Sequence, residues 1–253
     1  VPAAEDHRQN PWQPMSFFPS FRKRSNAPEW MDDLSHPPEE INRALADIKK
    51  VNRWLGGHKV SIQGVKPFLD TREDPPVHIL DMGCGNGEFL RHLRDYCKRR
   101  DLPVTLSGWD RNPNSLDWGH HRDESGEIRL ECRDILSYPP LPEGEVVIVC
   151  NLFLHHFTDA QILEILKTWR DLGCRAIVVN DLHRNLLAYY LFHVFGFIFR
   201  LSRMARHDGL ISILRGFTQR DLKRFNRDLG REGSVRWMWA FRYLWVLDFK
   251  ENT

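Results

Sequence analysis

From Val77 onward the chain changes its hydrophobic period. Short apolar runs, VHILDMG, PVTLSGWD, IRLECRD, EVVIVCNLFL and RAIVVNDL, alternate with the helically spaced segments EFLRHLRDYCKR and DAQILEILKTWRDL. Near-continuous apolar strands separated by helices are the signature of βαβ units, whose parallel sheet is covered on both faces. The tail VRWMWAFRYLWVLDF reads as two more strands turning tightly around Ala240 to Arg242. The pattern therefore predicts an α/β fold: a doubly wound, seven-stranded, mostly parallel sheet with an antiparallel C-terminal hairpin.

Three regions flank or interrupt that pattern. Residues 1–38 form a Pro-rich arm (Pro2, Pro11, Pro14, Pro19, Pro28, Pro37, Pro38) with the basic cluster Arg22-Lys23-Arg24, and little regular structure is expected there. Residues 39–70 are read as a helical cover. Within it Ile41, Leu45, Ile48, Val51 or Asn52, and Leu55 recur at helical spacing until Gly56-Gly57 ends the helix. The main domain, 71–253, carries an insertion at about 182–216, followed by a helix expected to be N-capped by Thr218 with Asp221 in its first turn.

Composition narrows the function classes. Lys and Arg number 36 against 34 Asp and Glu, a net charge of +2, so no general attraction to nucleic acid is expected. Five cysteines without a CxxC pair argue against a disulfide framework and a thiolate zinc site, and a reducing, cytoplasmic setting is expected. The opening VPAAEDHRQNPWQP lacks the charged and apolar regions of a signal peptide. LLAYYLFHVFGFIF, from Leu186 to Phe199, falls short of the about 20 residues a spanning helix needs. It suits a buried helix, a lid or an interfacial contact, which allows peripheral membrane contact without stable insertion.

The most specific signal is HILDMGCGNGEFL: a strand carrying Asp81, a turn Gly83-Cys84-Gly85-Asn86-Gly87, then a helix opening with Glu88. Glycines let the backbone turn sharply and let a ligand approach the peptide at the carboxyl edge of the sheet. The spacing is GxGxG, not the GxGxxG of dinucleotide sites, and Glu88 would repel a phosphate at the helix N-terminus. A ligand with an amino-acid end and no phosphate fits this loop.

The loop resembles motif I of the class I S-adenosylmethionine-dependent methyltransferases, and the resemblance runs from about Val77 to Phe249. It implies S-adenosylmethionine as cofactor, with Asp81, Gly83, Cys84 and Gly85 around its methionine portion. Asp110 in SGWDRNP falls where that family places the acid that binds both ribose hydroxyls, with Trp109 and Arg111 flanking the adenine. Asp134 and Ile135 follow the third strand, where family members contact the adenine, although Asp134 by itself reads equally well as an N-cap. Asn151 ends the fourth strand, nearest the sulfonium.

The segment LHHFTDAQILEIL resembles the stretch after strand four in phenolic O-methyltransferases, in which a histidine is the general base. The alignment puts His155 on that position and His156 on its polar neighbour. Adjacent histidines diverge on a strand or a helix, so no metal is expected. The implied reaction is methyl transfer to a hydroxyl of a small, hydrophobic aromatic or polyketide-like acceptor. C-methylation of a quinol-like ring, or a catalytically silent binding module, are the alternatives. Strand four lacks the Asn-Pro-Pro-aromatic signature of nucleic-acid amino-methyltransferases. Tyr189, Tyr190, His193, Arg206 and His207 of the insertion are expected at the acceptor. PEWMDD, VVNDLHRN and RHDG also resemble segments of bacterial methyltransferases of polyketide-derived aromatics, which would make Trp30, Met31 and the first helix a substrate cover; simple packing of that helix remains open.

Overall fold

A computed structural model describes residues 20–33, 36–69, 75–121 and 125–250. The stretch 1–19 of the expected arm and the boundary near residue 70 lie outside the described residues. Seven strands, β1 (His78–Met82), β2 (Thr105–Asp110), β3 (Ile128–Cys132), β4 (Val146–Asn151), β5 (Ala176–Leu182), β6 (Ser234–Met238) and β7 (Arg242–Asp248), form one sheet in the order β3-β2-β1-β4-β5-β7-β6. The first five pair in parallel, and β7 runs antiparallel to both β5 and β6. The expected architecture is therefore present. Its chain order reverses between β1 and β4, the switch point beside which ligands of open α/β sheets bind.

Alternation along the strands sorts the core into two layers. Leu80, Met82, Ile148, Cys150, Ile177 and Val179 face one side, with Ile162, Trp169, Phe225 and Trp245. Ile79, Val147, Val149 and Val178 face the other, against Val65, Phe68 and Leu93. The outer helices are α3 (Glu88–Lys98), α4 (Pro113–His120), α5 (Asp159–Asp171) and α8 (Gln219–Leu229). Thr158 and Thr218 close capping boxes on α5 and α8, with Gln161 and Asp221 as the reciprocal partners.

Helix α1 (Pro38–Leu55) ends at Gly56, whose φ of 69° is the left-handed cap expected of that glycine. The chain does not leave the helical cover there. It turns directly into α2 (Gly57–Leu69), which packs on the sheet so closely that a Cβ at Gly64 would meet Val178 Cγ1 at 2.4 Å. The insertion is two helices, α6 (Leu186–Ile198) and α7 (Arg203–Arg215), with α7 buried against α1 and a short 3-10 turn, Trp30–Asp32.

A second departure bears directly on the site. The apolar run VVIVCNLFL does not continue as strand: β4 stops at Asn151, Leu152 takes a left-handed φ of 51°, and Leu154–His156 is a 3-10 turn. Leu152 donates its N–H to Asn180 O of β5 at 2.9 Å, so the chain is still tied to the sheet as it curls over the carboxyl edge.

Candidate active site

The glycine loop is held by the strand next to it. Gly83 and Cys84 both donate N–H groups to Trp109 O, at 2.8 and 3.1 Å. Gly83 has φ of 70° and lies under the Phe153 ring, which leaves no room for a side chain. Gly85 is also left-handed and has open space where a Cβ would stand, so the backbone there is approachable. Its N–H donates to Asp110 Oδ2 at 2.7 Å, and Asn112 N–H donates to Oδ1 at 2.9 Å. Burial pushes the Asp110 carboxyl up, against the pull of those two N–H donors.

Asp81 sits deeper. Asn151 Nδ2 donates to its Oδ1 at 3.0 Å, the Ser61 hydroxyl of α2 donates to Asn151 Oδ1, and Asn180 Nδ2 donates to Ser61 Oγ at 2.8 Å. Burial, helped by the nearby negative charge of Asp110 and resisted by the Asn151 hydrogen bond, pushes the Asp81 carboxyl up to about 8. A buried carboxyl in that state is a receptor for a cation, whose charge would draw it back to the ionised form.

The residues expected to hold the cofactor converge. Asp81, Gly83, Cys84, Gly85, Asp110, Arg111, Asp134, Ile135 and Asn151 all line one cavity of about 540 Å³. Asp134 caps the 3-10 turn Ile135–Ser137, accepting from Leu136 N at 2.9 Å, and it also borders the cavity. Trp109 is almost fully buried and also borders the cavity, and Arg133 lies 5.0 Å over its ring. The buried Asp81 carboxyl and the open glycine backbone fit a cationic amino-acid portion, Asp110 at the end of β2 fits a ribose, and Arg111, Asp134 and Ile135 beside it fit an adenine.

Beyond the glycine loop the cavity becomes apolar, walled by Ile41, Leu45 and Ile48 of α1 and Leu191, Phe192 and Phe195 of α6. The five insertion residues expected at an acceptor are elsewhere. Tyr189 is buried edge-on to Phe21, and neither it nor Tyr190 lines the cavity. His193, Arg206 and His207 line a separate groove between α6 and α7. Trp30 is stacked on His207 at 4.0 Å, while Met31 reaches the main cavity.

The two histidines of the 3-10 turn line the same cavity. His155 is 2 % exposed; its Nδ1 lies 2.7 Å from Asp181 Oδ1, and its Nε2 lies 3.4 Å from Glu29 Oε1. Burial alone would depress this imidazole, but the charges and hydrogen bonds of Asp181 and Glu29 outweigh it and push the group up to about 9. The same pairing holds both carboxylates below their ordinary range in spite of their burial. His156 is stacked on His155 at 4.4 Å and is 23 % exposed, with Nε2 3.8 Å from Glu29 Oε2. It interacts electrostatically with Asp110, Asp181 and Glu29, which puts it between Asp110 and the arm.

Several of these partners carry no signature in the sequence. Glu29 comes from the arm, and Asp181 is the sixth residue of an apolar strand. Two arginines brace the turn from outside: Arg24 Nη2 donates to His155 O and Phe157 O, both at 2.9 Å, and Arg215 Nε donates to His155 O at 3.0 Å. Arg24 also reaches Asp159 Oδ1 at 2.7 Å and Arg215 O at 2.7 Å. Ser212 Oγ donates to Glu29 at 2.8 Å.

The strand order, the glycine turn after β1 and the acid closing β2 stand where the resemblance to the class I methyltransferases puts them. Residues 79–172 match the family model described as a methyltransferase domain. The fold of the chain is that of the class I S-adenosylmethionine-dependent methyltransferases. No curated protein matches it. Among solved structures it is similar to the plantazolicin methyltransferase BpumL in complex with SAH, at 16% identity over 85% of this chain and 92% of that chain, TM-score 0.61. It is also similar to the plantazolicin methyltransferase BamL in complex with a triazolic desmethylPZN analog and SAH, at 16% identity over 85% and 92%, TM-score 0.58. LepI in complex with SAM matches at 18% identity over 74% of this chain and 46% of that one, TM-score 0.54, so this chain spans less than half of LepI.

Proposed function

We propose that the protein transfers a methyl group from S-adenosylmethionine to a hydroxyl of a small, hydrophobic aromatic or polyketide-like acceptor, and that His156 takes the hydroxyl proton. When bound, the cofactor supplies an electrophilic methyl on a sulfonium. Asp81 would hold its ammonium, the Gly83–Gly85 backbone its methionine portion, Asp110 the ribose, and Arg111, Asp134 and Ile135 the adenine. The apolar walls from α1 and α6 exclude water and orient the acceptor, which is most of what a displacement in line with a breaking bond requires. A phenol, with pKa near 10, needs its proton removed to become a good nucleophile.

The observation that carries this reading is the position of His156. It lines the same cavity as the glycine loop and the apolar side chains of α1 and α6, and Glu29 stands beside its Nε2 to stabilise the imidazolium formed. His155, to which the sequence pointed first, is enclosed by Asp181 and Glu29 and is protonated at neutral pH, so it positions its neighbour and does not take the proton. The deciding experiment pairs labelled S-adenosylmethionine with a panel of lipophilic phenols. An O-methyl product is expected, with a loss of about 10²–10⁴-fold in kcat for His156→Ala and a flattened alkaline rise of the pH–rate profile. A carbon-bound label, or a loss below about threefold, sinks the assignment.

A further inference from the structure

Helix α6 turns its apolar stripe the wrong way for a helix that only packs on its own protein. Leu187, Tyr190, Leu191, Val194, Phe197 and Ile198, at the spacing of one helical face, are all exposed, Phe197 to 75%. An exposed apolar patch of this kind marks an interaction surface. Its edges are cationic: Arg200 follows the helix, Arg203 and Arg206 are exposed on the first turn of α7, and no Asp or Glu occurs from Leu186 to His207. The groove between α6 and α7, about 400 Å³, has an apolar floor of Phe192, Val194, Phe197 and Leu210, and His193, Arg203, Arg206 and His207 along its walls.

We infer that α6 and the start of α7 dock the protein in plane on an anionic lipid bilayer, with the α6–α7 groove taking a lipid phosphate between its arginines. An apolar helical stripe bordered by arginines is the chemistry of an interfacial helix, in which apolar side chains enter the acyl boundary and guanidiniums meet anionic headgroups. At 13 residues α6 is too short to cross the bilayer, and no described helix is long and apolar enough to do so. The same face carries the cavity mouth. Leu191 lines the cavity and is exposed, and Trp239 of the β6–β7 turn lines it and is 69% exposed. Docking would therefore open the acceptor half toward the bilayer, a point that rests on the proposed reaction; the docking itself does not.

The test is co-sedimentation of the full chain with vesicles of phosphatidylcholine alone or mixed with phosphatidylglycerol. Binding to the mixed vesicles is expected to be at least about tenfold tighter and to weaken with salt. Arg203→Gln with Arg206→Gln, and separately Phe197→Ser with Ile198→Ser, should each lower that binding about tenfold while SAH binding and the circular dichroism spectrum stay unchanged. Equal binding to both vesicle types, or no loss in either variant, overturns the inference. So does a dimer, read by light scattering, that Phe197→Ser with Ile198→Ser dissociates, because the stripe would then be covered by a second copy. Vesicle binding without an O-methyl product, or the reverse, separates this surface from the reaction.

Discussion

A Cβ on Gly83 would lie 2.1 Å from Cδ2 of Phe153, so the ring that follows β4 closes directly over the turn that follows β1. Two loops far apart in sequence thus share one contact, and neither can change shape alone. Gly83→Ala meets both this ring and a φ of 70°. It should weaken SAH binding by at least about tenfold and lower Tm, by mechanisms worth on the order of 1–3 kcal/mol each. Adding Phe153→Ala should recover part of the loss from Gly83→Ala, since it removes the clash but not the backbone cost; strictly additive losses in titration calorimetry and melting would count against the contact.

Asp81 gives the cofactor-free protein a pH dependence opposite to that of most carboxylates. Its folded-state value, about 8, lies above the ordinary one of about 3.9, so the neutral form stabilises the fold at low pH. That contribution is lost as pH rises through about 8. Wild type without cofactor should therefore melt lower at pH 9 than at pH 6 by more than Asp81→Asn does. A cationic ligand drives the carboxyl to ionise, so S-adenosylmethionine binding at pH 7 should release close to one proton. Calorimetry in two buffers of different ionisation enthalpy measures it; no release would contradict the protonated state.

His155 and its carboxylates make the complementary case. The imidazole is held up to about 9 against an ordinary value near 6.5, so its contribution is present below that value and fades as pH rises through about 9. Asp181 and Glu29, held down, contribute above the ordinary carboxylate range and lose that as pH falls. Asp181→Asn leaves a buried imidazolium short of its main partner and should cost about 3–5 kcal/mol. Asp181→Asn with His155→Gln should cost less than the two single changes summed. An NMR titration that finds His155 deprotonating near 6.5 in the wild type would refute the paired state.

Arg24 is the pin of the arm. Its guanidinium is nearly buried, and burial lowers its affinity for the proton even though Asp159 opposes this. Arg24→Ala leaves the carbonyls of His155, Phe157 and Arg215 without this donor and should cost on the order of 3 kcal/mol. Hydrogen exchange should rise at the amides of Trp30 and Met31, which donate to Asp208 at 2.8 and 3.0 Å, and leave β1 and β4 unchanged. Protection equal to wild type across residues 24–31 would show that the arm is held by other contacts.

Much of this was legible because it depends on short-range pattern. Parallel strands buried on both faces must be apolar throughout, and the glycine turn and Asp110 are fixed by the backbone they serve. The Thr218 cap and the hairpin at Ala240 are equally local. What escaped depends on distant partners. Glu29 and Arg24 lie in a Pro-rich stretch with no period, and their roles exist only once α7 and the Leu154–His156 turn lie beside them. Helix α2 was hidden because Gly56-Gly57 reads as an end, while the second glycine in fact begins a new helix that carries Pro67. In α6 nearly every residue is apolar, so sequence could not say which face turns inward; the tyrosines were expected at the acceptor, but it is Leu191, Phe192 and Phe195 of α6 that line the main cavity.

The bond from Arg24 to His155 closes a loop of 131 residues. The entropy of closing a loop grows with its length, and nothing local compensates it, so this contact forms only after the sheet has brought β4, β5 and α7 together. The bond from Gly85 to Asp110, which spans 25 residues, needs no such wait. The cavity is thus closed by contacts of very different reach: 25 residues from Gly85 to Asp110 across the glycine turn, and 131 from the arm to the histidine turn.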